Sequence, residues 1–406
     1  MGFLDWLFGA PTIEKVARDV TRALHARHAQ GLQVDLARGE MTFRLHGGEM
    51  KLFLGNLLHE MQHCPRAQRP ALLQRFLDGV LTPEIAIPSN YAEARPRLMP
   101  VVRRRADIGN MALSTHSASD DPARQLRPAT RPLVGELVIA LVCDRPTSMA
   151  YVNEHELPKW GVTLDQALED ALDNLRGLPE HGGWQSMGQG VWAGEWGDTY
   201  DSSRILLPDL IHRVGVRDPV VAVPFRNALM LTGAANEAGI ALMAKVIEQH
   251  VEDNQRWLSF QLLRLEGKQW VAHAPLVAVD TWHLLNLRNE VGAYENQKEL
   301  IDAIHERSGV DIWVASCQML SRDDLGTLSY STWSEQVDTL LPHSEFIVFK
   351  PQADDPEGLL LVGWAEARTV VGDLMVPTDD VPERFRVRSF PDAAQLARLR
   401  ELAVDL

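Results

Sequence analysis

Between Gly197 and Pro208 the chain reads Gly-Asp-Thr-Tyr-Asp-Ser-Ser-Arg-Ile-Leu-Leu-Pro, shortly after Trp192 and Trp196. Two carboxylates, a phenol and a guanidinium fall close together. Asp198, Tyr200, Asp201 and Arg204 beside two indole faces could line a pocket, and a helix starting there would offer its positive end to an anionic group. The same residues also have a purely structural use. Asp201 or Ser202 can cap the helix, a contribution of about 1 kcal/mol, while Arg204 pairs with a carboxylate and Tyr200 packs.

A second group is His59-Glu60-Met61-Gln62-His63, which fits the spacing H-E-x-x-H. Residues four apart share a helix face, so His59 and His63 could ligate zinc with Glu60 as base. At 100° per residue Leu54, Leu57, Leu58 and Met61 cluster on one side, and the two histidines fall nearly opposite. A catalytic zinc also needs a third protein ligand. Glu84, Glu93 and His116 are available, but no second motif marks any of them, and Pro65 ends the helix at once. The pair reads as surface histidines, and a zinc-dependent hydrolase is the alternative. Phosphate-binding glycine loops and the G-x-S-x-G elbow are absent from the sequence. Ser331, Ser334 and His343 are close in sequence without a spacing that implies a nucleophile and its base.

Composition narrows the classes. A formal charge of −15 over 406 residues opposes broad nucleic-acid or anionic-membrane binding. Arg103-Arg104-Arg105 is the densest basic run and reads as a solvated strand end or loop. Three scattered cysteines give neither a disulfide framework nor a zinc ribbon, which favours a cytoplasmic setting. No apolar run has membrane-spanning length. The apolar start, Met1 to Gly9, is too short for a signal peptide and reads as a lead-in that packs on a neighbouring element. Most of the eleven tryptophans are expected in cores or hairpins, an exposed few marking a partner surface.

The elements that would position these groups follow from periodicity. Thr12 caps a helix carrying Val16, Val20 and Leu24; a hairpin follows, then two helices separated by Pro65. Residues 83–132 are expected as a connecting segment. From Leu133 an apolar strand begins. Thr163 and Gln166 form a capping box on a helix that Gly177 ends. A Trp184–Trp196 hairpin, strands at 220–223 and 229–231, a helix capped by Asn236 and a hairpin across Glu266-Gly267 complete the central part. In the last third a helix near 295–305 precedes further strands. There Trp333-Ser334 leading to Leu340-Leu341-Pro342 echoes the 200–208 stretch, as if a turn and helix were used twice.

Several pieces together resemble one family, the YtpQ-like proteins, known as domain of unknown function 1444. They are Phe53-Leu-Gly-Asn-Leu-Leu with Arg75-Phe-Leu, Met99-Pro-Val-Val-Arg, Asn174-Leu-Arg-Gly-Leu-Pro, Tyr200-Asp-Ser-Ser-Arg-Ile-Leu and Val221-Ala-Val-Pro-Phe-Arg-Asn-Ala-Leu. They occur in the family's order over roughly residues 1–275. The resemblance implies a cytoplasmic bacterial protein and carries over no catalytic residue.

The expectation is an α+β chain: an N-terminal helix–hairpin–helix module (1–82), the connection (83–132), a central mixed sheet with flanking helices (133–276) and a C-terminal α+β unit of related pattern (277–406). The expected role is non-catalytic binding of a protein partner or small anionic ligand at Trp192, Trp196, Asp198, Tyr200, Asp201 and Arg204. No cofactor is expected apart from zinc in the alternative, and neither nucleic acid nor a membrane span.

Overall fold

Helix α1 (Ile13–His25) buries Val16, Ala17, Val20 and Leu24, and Thr12 caps it by accepting from Lys15 N. The computed structural model describes residues 11–36, 39–45, 48–63, 66–81, 87–118, 126–145, 148–179, 182–252, 257–352 and 358–404. In it α1 shares one apolar core with an antiparallel sheet of β1 (Gln30–Asp35), β2 (Glu40–Leu45) and β3 (Gly48–Phe53), and with α2 (Leu54–His63) and α3 (Arg69–Leu81). The expected hairpin gains a third strand, and Phe53 belongs to that strand rather than to the helix. The expected lead-in at Met1 to Gly9 lies outside the described residues.

The described residues of 83–132 form paired and packed elements of the body. They include β4 (Leu98–Arg104), buried at every residue, and α4 (Arg105–Ala118). β4 pairs along its length with β6 (Leu137–Asp144), which also pairs with β5 (Thr130–Val134) and β7 (Met149–Tyr151). The apolar run expected as one strand is thus a hairpin, turned at Gly135 with φ +55°. Arg103 and Arg104 are only 6% and 7% exposed, so of the basic run only Arg105, which is exposed, is solvated. Protein acceptors replace water around the buried two. Arg103 Nε donates to Tyr151 Oη at 2.8 Å, and Arg104 donates to Asp107 Oδ1 and Asn289 Oδ1.

The capping box opens α5 (Leu164–Arg176) as the sequence predicts. Beyond it lies a six-stranded sheet in the order β13-β12-β10-β11-β9-β8. Its strands are β8 (Gly183–Gly188), β9 (Val191–Glu195), β10 (Pro219–Ala222), β11 (Met230–Gly233), β12 (Leu262–Glu266) and β13 (Gln269–His273). On one face Val191, Ala222 and Met230 pack under α6 (Glu237–His250), which Asn236 caps. On the other, Val221, Leu229 and Leu231 meet Ile205, Ile211 and Val102. The 197–212 stretch is therefore a layer between the two central sheets.

Helix α7 (Val279–Ser308) runs through what was expected as a short helix at 295–305 and spans about 45 Å. The C-terminal part packs on it as two four-stranded sheets. One is ordered β15 (Cys317–Arg322), β16 (Gly326–Ser334), β18 (Phe346–Lys350) and β19 (Leu360–Gly363). The other is ordered β14 (Trp313–Val314), β17 (Thr339–Pro342), β21 (Arg384–Val387) and β20 (Val376–Pro377). Helices α8 (Trp364–Val371) and α9 (Ala393–Leu402) cover this region. The mixed pairing falls here, with parallel pairs β14·β17 and β16·β18, while the described pairs of the central sheets are antiparallel. The expected second helix at Leu340-Leu341-Pro342 is strand β17, buried between two partners, whereas Ser202–Leu206 is a 3-10 helix. The duplicated pattern therefore fails at the element that defined it. The architecture is α+β.

Candidate functional site

The Gly197–Pro208 stretch turns its polar groups inward. Arg204 is 4% exposed. Its Nη1 donates to Asp198 Oδ1 at 2.8 Å, its Nη2 to Asp198 Oδ2, and its guanidinium lies 4.4 Å from the Trp196 ring centroid. Asp201 does not cap the 3-10 helix; its Oδ1 accepts from Trp196 N at 2.8 Å. Ser202 Oγ donates to Arg226 O, and Ser203 Oγ accepts from Val102 N. Tyr200 is buried with its hydroxyl near Asp144 but outside hydrogen-bond geometry. Burial first, then the Asp144 charge, pushes that phenol's pKa up.

Tight backbone geometry makes the cluster. Gly197 and Thr199 both have φ +70°, a left-handed conformation uncommon for a β-branched residue. Gly194 gives Trp196 its place, because a Cβ at Gly194 would meet the indole at 2.2 Å. Trp184 meets the same indole edge-on at 5.2 Å. Trp192 and Trp196 do line a shallow depression of about 350 Å³ with Trp184 and Arg213. Asp198, Tyr200, Asp201 and Arg204 do not reach it. The structure thus divides the six expected site residues, leaving Trp192 and one edge of the buried Trp196 at the depression and four in the framework.

The H-E-x-x-H spacing falls on α2, whose Leu54, Leu57 and Met61 are buried as the helical pattern predicts. The side chains of His59, Glu60 and His63, and residue Glu84, lie outside the described residues. Among the described residues no group of three or more His, Cys, Asp or Glu side chains is placed to hold a metal ion. Cys143 and Cys317 are buried and unpaired; burial pushes the Cys317 thiol up to about 12, which suppresses thiolate chemistry there.

A different site emerges on the α6 face of the six-stranded sheet. Alternation along β9 sends Trp192 to one face and Ala193 and Glu195 to the other. The small Ala193 leaves space beneath α6, and a cleft of about 370 Å³ opens there. Phe225, Met230, Val246 and Ile247 form its apolar walls, with Glu195, Asn227 and His250 among its polar lining. His250 Nδ1 donates to Val246 O at 2.7 Å when it carries the ring proton, so Nε2 is left as an acceptor. Met230, Val246 and Ile247 come from a strand and a helix, whereas Phe225 and Asn227 come from the turn that joins β10 to β11. Sequence reading missed this cleft because the large tryptophans drew attention to the other face of β9. The available signal was Ala193, a small residue among large ones, opposite an amphipathic helix.

No family model matches the chain, and neither a curated protein nor a solved structure matches it. Among the described residues no helix is long and apolar enough to cross a membrane.

Proposed function

We propose that this chain is a non-catalytic, cytoplasmic binding module of the YtpQ-like family, and that its ligand is a small molecule held in the cleft between β9, β11 and α6. The ordered motifs from Phe53 to Leu229 support the family reading. The observation that carries the functional reading is the cleft's composition: apolar walls from β11, α6 and the β10–β11 turn, with a few polar groups for orientation. Its volume lies within the roughly 300–1,000 Å³ of small-molecule sites. Glu195 supplies only acceptors, and His250 offers another, so the favoured ligand has an apolar body and a donating head, such as a primary amine.

Calorimetric titration with hexylamine, hexan-1-ol and hexanoate tests this reading. Hexylamine is expected to bind tightest, Glu195→Gln to remove its advantage over hexan-1-ol, and Ala193→Leu to weaken all cleft binding about tenfold or more. Equal binding of the amine by wild type and Ala193→Leu would contradict the cleft as its site.

A further inference from the structure

The groove between α1 and α3 contrasts with the charge of the whole chain. The protein carries a formal −15, yet among the described residues Lys15, Arg22, Arg66 and Arg69 line this groove against one carboxylate, Asp19, which lies 3.6 Å from Arg22 Nη1. Its volume is about 460 Å³. Lys15, Asp19 and Arg22 recur at i, i+4 and i+7, which places them along one face of α1. The floor between the helices is apolar, from Val16, Met61 and Leu73. Arg69 is nearly buried and donates from Nε to Met61 O at 2.9 Å, fixing the start of α3 against α2. The first turn of α3 contains no acidic residue, so the helix adds its positive end to the same wall. Near the end of α1, Arg27 donates to Gln74 Oε1 at 2.7 Å and Asp78 Oδ1 at 2.8 Å, holding the two helices together there.

An apolar floor bordered by cations fits an amphiphile with an anionic head. We propose that this groove binds a free medium-chain carboxylate, its acyl chain on Val16, Met61 and Leu73 and its head beside Lys15 and Arg22. The site is separate from the central cleft and does not depend on that reading.

The test is calorimetric titration of the full chain with sodium octanoate and octan-1-ol, at low and high salt. Octanoate should bind more tightly than octan-1-ol, and added salt should weaken it. The double variant Lys15→Gln/Arg22→Gln should bind octanoate about tenfold more weakly. Leu73→Trp, which fills the groove without altering charge, should weaken both ligands, and Ala193→Leu should change neither. Circular dichroism checks that each variant is folded. Absence of octanoate binding, equal affinity for octan-1-ol, or loss in Ala193→Leu instead of Lys15→Gln/Arg22→Gln would overturn the proposal.

Discussion

Arg204 illustrates how a cluster that looks reactive becomes a strut. A guanidinium gripped by one carboxylate and covered by an indole has few donors left for a ligand. Burial works to raise the pKa of Asp198, but the hydrogen bonds from Arg204 outweigh it and hold the carboxyl below the usual range. The sign of the linkage follows. A carboxylate whose folded value is depressed adds stability above about pH 3.8, and that stability is lost as pH falls through the folded value. Urea unfolding from pH 6 to pH 3 should therefore show a decline below about pH 4 that is shallower in Asp198→Asn. At pH 7 the same variant should lose about 2 kcal/mol, because the buried guanidinium keeps its charge without its partner. An Asp198→Asn protein with wild-type stability and an unchanged pH profile would remove the strut.

At the scale of elements, α7 does the corresponding work between the central and C-terminal parts. Its Asn289 receives Arg104 from β4 and donates to Glu136, while Tyr294 and Gln297 meet the segment 382–384. Arg384 is fully buried, and its nearest acceptors are Gln297 Oε1 at 2.6 Å and the carbonyls of Ala315, Leu340 and Tyr294. Burial pulls its pKa down to about 10, which still leaves it charged at neutral pH. Arg384→Met should cost about 3 kcal/mol in chemical unfolding, because several buried acceptors lose their donor together. A loss below about 0.5 kcal/mol would show that those carbonyls find other donors.

Elements with local signals were legible. Thr12, Thr163 and Asn236 cap the helices they were expected to cap, since a cap needs only its next three residues. The glycine at 267 turns β12 into β13 with φ +63°. Leu340-Leu341-Pro342 was misread because a short buried apolar run has no periodicity to separate strand from helix. Its partners, Trp313–Val314 and Arg384–Val387, are distant in sequence. Asp201 was misread for a related reason: its proximity to the helix start is local, but the path that brings Trp196 N to its carboxylate depends on the turn at Gly197 and Thr199. Sequence alone reads Arg103 and Arg104 as solvated, because burial of Arg103 against β7 and of Arg104 against α7 is a tertiary fact.

For the whole molecule, the two clefts offer different chemistry. The central one is apolar with an acceptor-rich lining, and the N-terminal groove is apolar with a cationic one. The polar stretch that follows the tryptophans, 197–212, lies between two sheets and packs on both. The most direct test of the central reading uses methyl-labelled methionines, because Met187 and Met230 line the central cleft while Met61 lines the N-terminal groove. On titration with hexylamine, the methyl resonances of Met187 and Met230 should shift together and saturate, with Met61 unmoved. Movement at Met61 alone, or at neither cleft methionine, would contradict a ligand site between β9, β11 and α6.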